Sequence, residues 1–127
     1  MELSSEWNEL SERIIGAAIE VHRHLGPGYL EAVYEEALAE EFVTRGIGFV
    51  RQHVICVQYK GKPVGTVRLD FIVEERLVVE LKALEALLPL HKAQVISYLK
   101  SSGAKLGLLI NFNVEVLRNG IRRIIFT

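Results

Sequence analysis

VRLDFIVEERLVVELKAL, residues 67–84, holds two apolar runs separated by the charged break Glu74-Glu75-Arg76. Valine, isoleucine, leucine and phenylalanine dominate both runs, the composition of strands buried on both faces. The break turns them into a hairpin. A three-residue loop over 74–76 pairs Val73 with Leu77, and so brings Asp70 opposite Glu80. Side chains alternate faces along a strand, so Glu80 and Lys82 point the same way. Two carboxylates and a lysine then meet on an otherwise apolar patch of sheet. Burying charge there is costly unless the charges pair or hold a cation, and that cost marks the patch as functional.

The chain on either side supplies the layers such a hairpin needs. Ser5 to Asn8 offers helix caps, and Leu10, Ile14, Ala17, Ala18, Val21 and Leu25 follow a helical period. Gly26-Pro27-Gly28 ends that helix. A second helix is expected over 29–45, with a core stripe of Leu30, Val33, Ala37, Leu38 and Phe42 and with Glu31 and Tyr34 at its flank. Glu31 falls in the first turn, where a carboxylate favours the helix dipole. Phe49–Tyr59 reads as a strand, and the Lys60-Gly61-Lys62-Pro63 turn leads into the strand at 64–73. Pro89 opens a third helix over 90–102, burying Ala93, Ile96 and Leu99, with His91, Gln94 and Tyr98 on another face. A buried strand over 106–112 then lies parallel to 77–84 through a right-handed crossover. Asn119-Gly120 signals a last hairpin between 114–118 and 121–126. The class is α/β, a mixed central sheet flanked by helices in the order α-α-β-β-β-α-β-β-β.

With 127 residues, 50% of them hydrophobic, and a mean hydropathy of +0.22, the chain suits one domain, 1–127, with one core. The net charge of -1 advertises no nucleic-acid binding in bulk, so any such binding must be local. A single cysteine, Cys56, excludes an internal disulfide, fits a reducing compartment, and is expected to be a small core residue. The acidic, polar N-terminus is unlike a signal peptide, and no apolar run is long enough to span a membrane, so a cytoplasmic protein is expected.

Asp70 with Glu80-Leu81-Lys82 has the form D-x(9)-E-x-K. Two carboxylates on neighbouring strands suit a hard divalent cation, Mg²⁺ or Mn²⁺, through oxygen ligands, with the Leu81 carbonyl as a further donor. Lys82 beside such an ion would orient or activate water, or offset charge on a phosphate. This pattern resembles the core of the PD-(D/E)xK nucleases, with Leu69 where a proline often stands. Gln94-x-x-x-Tyr98 resembles the QxxxY feature of the RecB-like and lambda-exonuclease-like branch. Gly28-Tyr29-Leu30-Glu31-Ala32-Val33-Tyr34 resembles the G-x-x-E-x-x-Y signature of the GxxExxY protein family, and the VHRHLGPG and GLLINF runs are similar to that family too.

The resemblance implies a restriction-endonuclease-like core and a Mg²⁺-dependent nuclease, with DNA as the expected substrate. It implies Asp70, Glu80 and Glu31 as metal ligands and Lys82 as the group assisting the nucleophile. Gln94 and Tyr98 would position substrate or the motif. Tyr34 would pack or hydrogen-bond beside Glu31, and His22 would contact phosphate or shuttle a proton. A duplex often needs a second subunit to grip it, which leaves a homodimer open. Two other readings of the same residues stand beside this one. One is a non-catalytic nuclease fold kept for nucleic-acid or protein binding. The other is a buried ion triad of Asp70, Glu80 and Lys82 with no chemistry.

Overall fold

The computed structural model describes residues 4–127. Helix α1 (Ser5–Leu25) and helix α2 (Glu31–Arg45) precede three antiparallel strands, β1 (Phe49–Tyr59), β2 (Lys62–Val73) and β3 (Leu77–Lys82). Helix α3 (Pro89–Ser102) crosses to β4 (Leu106–Asn111), and β5 (Ile121–Ile125) ends the sheet. Strand order follows chain order, β1 to β5, with β3 and β4 parallel and every other pairing antiparallel. This is the expected restriction-endonuclease-like architecture, a mixed sheet between helices.

The sheet divides the core in two. On one side α1 and α2 pack Leu10, Ile14, Ala18, Leu38 and Phe42 against Phe71, Val79, Leu81 and Ile110. On the other, Val95, Tyr98 and Leu99 of α3 pack against Leu69, Val78 and Leu109. β3 and β4 lie between the two layers, and all their residues except Lys82 are buried. That is why their sequences read as continuous apolar runs rather than alternating ones.

Several local expectations change. Residues 114–118 do not form a strand. A short 3₁₀ turn, Leu117–Gly120, feeds β5 directly, so the sheet has five strands. Gly120 is needed for close approach rather than for a hairpin turn, since a Cβ there would run into the Asn111 carbonyl oxygen. In α2 the buried stripe is Tyr34, Leu38, Ala39 and Phe42, while Leu30 and Val33 face outward. The cause is the Tyr34 hydroxyl, which donates to the Gly26 carbonyl (2.7 Å) and accepts from the Tyr29 N–H (3.2 Å), so its ring must turn inward. In α3 the buried face is Val95, Tyr98 and Leu99, with Ala93 exposed. Cys56 lies on the outward face of β1 and is exposed, not a core residue.

Candidate active site

The β2–β3 loop has the expected length, and the register Val73↔Leu77, Ile72↔Val78, Phe71↔Val79 follows. Backbone pairing stops there, although both strands continue. Beyond it the two carboxylates take over the hydrogen bonding between the strands. Glu80 Oε1 accepts the Asp70 N–H at 2.8 Å, and Asp70 Oδ2 accepts the Leu81 N–H at 2.8 Å. Each acid therefore caps the partner strand's backbone. That fixes both side chains and leaves each a second oxygen: Asp70 Oδ1 and Glu80 Oε2.

Glu80 is only 4% exposed. Burial, followed by the neighbouring Asp70 charge, pushes its pKa up to about 8. Burial likewise raises Asp70, with the Glu35 charge adding to it and the Leu81 hydrogen bond opposing it. Glu31, at the start of α2, is raised by burial and then by the Asp70 charge. Lys82 offsets all three acids electrostatically, yet among the described residues it forms no ion pair within 4.0 Å. A closed, self-neutralised triad is thus not what the geometry contains. Three carboxyl groups stand against the one lysine.

Tyr98 reaches the patch from α3. It is 8% exposed, and burial, then the charges of Glu80 and Asp70, raise its hydroxyl pKa. Gln94 is exposed and lines an open groove together with Lys82 and His91. His91 itself accepts the Leu88 N–H on Nδ1 (2.9 Å), a cap for the start of α3. Six of the eight residues expected at the site, Glu31, Asp70, Glu80, Lys82, Gln94 and Tyr98, are thus linked by shared electrostatics or a shared groove.

The other two are tied to backbone. His22 Nε2 lies 2.7 Å from the Val114 carbonyl and so must donate its proton there. It holds the loop after β4 instead of offering Nε2 as a shuttle. Tyr34 latches the α1–α2 turn and stacks on Phe112, ring centroids 4.6 Å apart. Both rings lie against Phe112, just past β4.

Three residues that the motif reading passed over also converge here. Gln52 sits in β1 at the register position of Asp70, in a left-handed backbone conformation (φ 49°) that few non-glycine residues adopt. Its Nε2 donates to Glu35 Oε1 (2.6 Å) and toward Asp70 Oδ1 (3.4 Å). Arg51 Nη2 donates to Glu35 Oε2 (2.8 Å) and to Glu36 Oε1 (2.6 Å). Glu35 is therefore already satisfied, while Glu31, one helical turn earlier on the same face, has no side-chain partner among the described residues. No short motif could have named Gln52, because its significance lies in a backbone angle.

The donor chemistry suits a hard cation, being all oxygen. Among the described residues no three Asp, Glu, His or Cys side chains stand together as a ready-made metal cage. A Mg²⁺ site does not require one, since that ion keeps several waters and is held through one or two carboxylates. Asp70 and Glu80 are two adjacent carboxylates of that kind, and Glu31 is near enough to feel the Asp70 charge.

No helix among the described residues is long and apolar enough to cross a membrane. No curated protein and no solved structure matches the sequence. A sequence model described as the PD-(D/E)XK nuclease superfamily matches residues 8–124, from the second turn of α1 into β5. With the fold, the hairpin and the opposed acids all in agreement, the chain belongs to the PD-(D/E)XK nuclease superfamily.

Proposed function

We propose that the protein is a single-domain, Mg²⁺- or Mn²⁺-dependent nuclease that hydrolyses phosphodiester bonds in DNA. The observation that carries this reading is the reciprocal capping of Asp70 and Glu80 where the β2–β3 ladder opens, with Lys82 on the same strand and Glu31 near enough to feel the Asp70 charge. Asp70 and Glu80 would hold the metal, with Glu31 as the third carboxylate. When bound, the cation would supply Lewis acidity toward a phosphoryl oxygen and lower the pKa of water. The chain's own part is to keep the acids fixed, to aim the Lys82 ammonium at the site of charge development, and to present Gln94 and Tyr98 to the substrate. Tyr34 and His22 act as positioning residues, through the Gly26 turn and the Val114 loop. The GYLEAVY run supports placement in the GxxExxY family within the superfamily.

The test is metal-dependent cleavage of single- and double-stranded DNA and RNA. Cleavage should vanish in chelator, and fall by at least about a hundredfold in Asp70→Ala and Lys82→Ala. Equal cleavage by these variants would sink the assignment. The non-catalytic alternative rests on one observation, the absence of a preformed three-ligand cage among the described residues. Calorimetry decides between them, since a binding module should take up neither Mg²⁺ nor Mn²⁺ at Asp70 and Glu80.

A further inference from the structure

A net charge of -1 hides an uneven distribution. Nine of the 16 acidic residues but only four of the 15 basic ones lie in residues 4–52, the α1–α2 layer and the start of β1. Two later stretches carry no acid at all. Residues 53–69, the outer part of the β1–β2 hairpin, hold Lys60, Lys62 and Arg68. Residues 86–114, spanning α3 and β4, hold Lys92, Lys100 and Lys105. The fold brings these two stretches together, because Ile55 and Val67 of the hairpin pack into the α3 cluster.

Two grooves meet on that face. One runs beside Lys82, His91, Gln94 and Ser97. The other lies between α3 and β1, lined by Ser97, Lys100, Ser101 and Gln58. Ser97 borders both, so they adjoin along α3 as a trough, and among the described residues no acidic side chain lines either. Its polar lining is amides, hydroxyls, an imidazole and the ammonium groups of Lys82 and Lys100. The grooves beside α1 and the β2–β3 turn differ: one mixes Glu6, Glu9 and Glu74 with Arg13 and Arg76, and the other holds Glu74 and Glu75 with no base among its lining residues. From His91 to Ser101 the helix rises about 15 Å, the length of roughly four base steps at about 3.4 Å of B-form helix axis each.

We propose that this trough is the track along which a nucleic-acid strand lies. The strand's phosphates would pass from Lys82 along α3 to Lys100 and on to the hairpin tip at Lys60 and Lys62. The acidic α1–α2 layer faces away from it. The inference rests on the nuclease reading for the identity of the polyanion, and it assigns that reading a surface and a direction. Lys60, Lys62 and Lys100 are exposed and lie outside the acidic cluster, so they act by holding the strand and not on the reacting atoms.

The experiment is fluorescence anisotropy of a labelled oligonucleotide with the full chain, in chelator, across a salt series. The triple variant Lys60→Ala, Lys62→Ala, Lys100→Ala should bind about tenfold more weakly at moderate salt, and its slope of log K against log salt should be shallower by about 2. Arg23→Glu, on the acidic layer, should bind like the wild type. The track is overturned if the triple variant keeps the wild-type slope, or if the wild type binds no strand. It is also overturned if polyglutamate or anionic vesicles compete as well as nucleic acid does. Because chelator is present, the result is independent of catalysis. Binding with the expected loss but without Mn²⁺-dependent cleavage would retain the track and remove the nuclease assignment. Cleavage with an unchanged slope would do the reverse.

Discussion

Glu80 is where pH enters. Its pKa in the folded protein, about 8, lies above the ordinary 4.5, so the folded state holds this proton more tightly than the unfolded chain does. The stability tied to that proton is present below pH 4.5 and lost as pH rises through 8. Asp70 and Glu31 shift in the same direction. In metal-free protein, Glu80→Gln should therefore be the more stable form at alkaline pH. Its Tm advantage should widen by about 5 °C or more between pH 5 and 8.5, for an effect on the order of 3 kcal/mol. A constant gap across that range would show that the Glu80 carboxyl is not held protonated. Tyr34 makes a different prediction. Tyr34→Phe keeps the ring on Phe112 but strands the Gly26 carbonyl and the Tyr29 N–H. Urea unfolding should register a loss of about 1–2 kcal/mol.

At the scale of elements, the β1–β2 hairpin does more than carry Asp70. Phe49, Phe71 and Val73 pack on the α1–α2 side, whereas Ile55, Val67 and Leu69, at the same alternate positions, pack on the α3 side. The hairpin changes layers at Gln52 and Asp70, and the left-handed Gln52 lies at that crossing. Gln52→Gly would accept the same backbone angle without strain, so its Tm should stay within about 2 °C of wild type. Its Mn²⁺ affinity should fall about tenfold as Asp70 loses its amide partner. Unchanged affinity would make Gln52 a backbone feature only. On the far side of the sheet, Gly120 packs against the Asn111 backbone. The Asn111 side chain accepts the Leu84 N–H and donates to the Leu84 carbonyl, holding the chain just past Lys82. Gly120→Ala should cost about 2–4 kcal/mol by chemical denaturation, because backbone cannot yield as a side chain can.

For the molecule as a whole, three carboxyl groups against one lysine at one point imply that a bound cation stabilises the fold. Mn²⁺ at a hundred times its Kd should add about 2.7 kcal/mol, read as a Tm rise that Asp70→Ala abolishes. The charge division between layers gives the rest its orientation: acidic helices behind, a basic trough in front, and the acidic cluster between them.

The layer order, the hairpin register and the juxtaposition of Asp70 with Glu80 were legible in the sequence. They rest on periodicity and loop length, which are local and carry over directly into three dimensions. The G-x-x-E-x-x-Y spacing put Glu31 in the first turn of α2, but Gln94 and Tyr98, expected together on one face of α3, are divided: Tyr98 packs into the core with Val95 and Leu99 while Gln94 stays exposed. Tertiary packing alone decided the rest. Which stripe of α2 turned inward depended on a hydroxyl finding a carbonyl eight residues earlier. Which carboxylate of α2 stayed open depended on Arg51 and Gln52 reaching Glu35 from another element. The last hairpin was lost because Gly120 had to fit against Asn111. A sequence carries the preferences of each segment, but competition among segments for the same partner is resolved only once they touch.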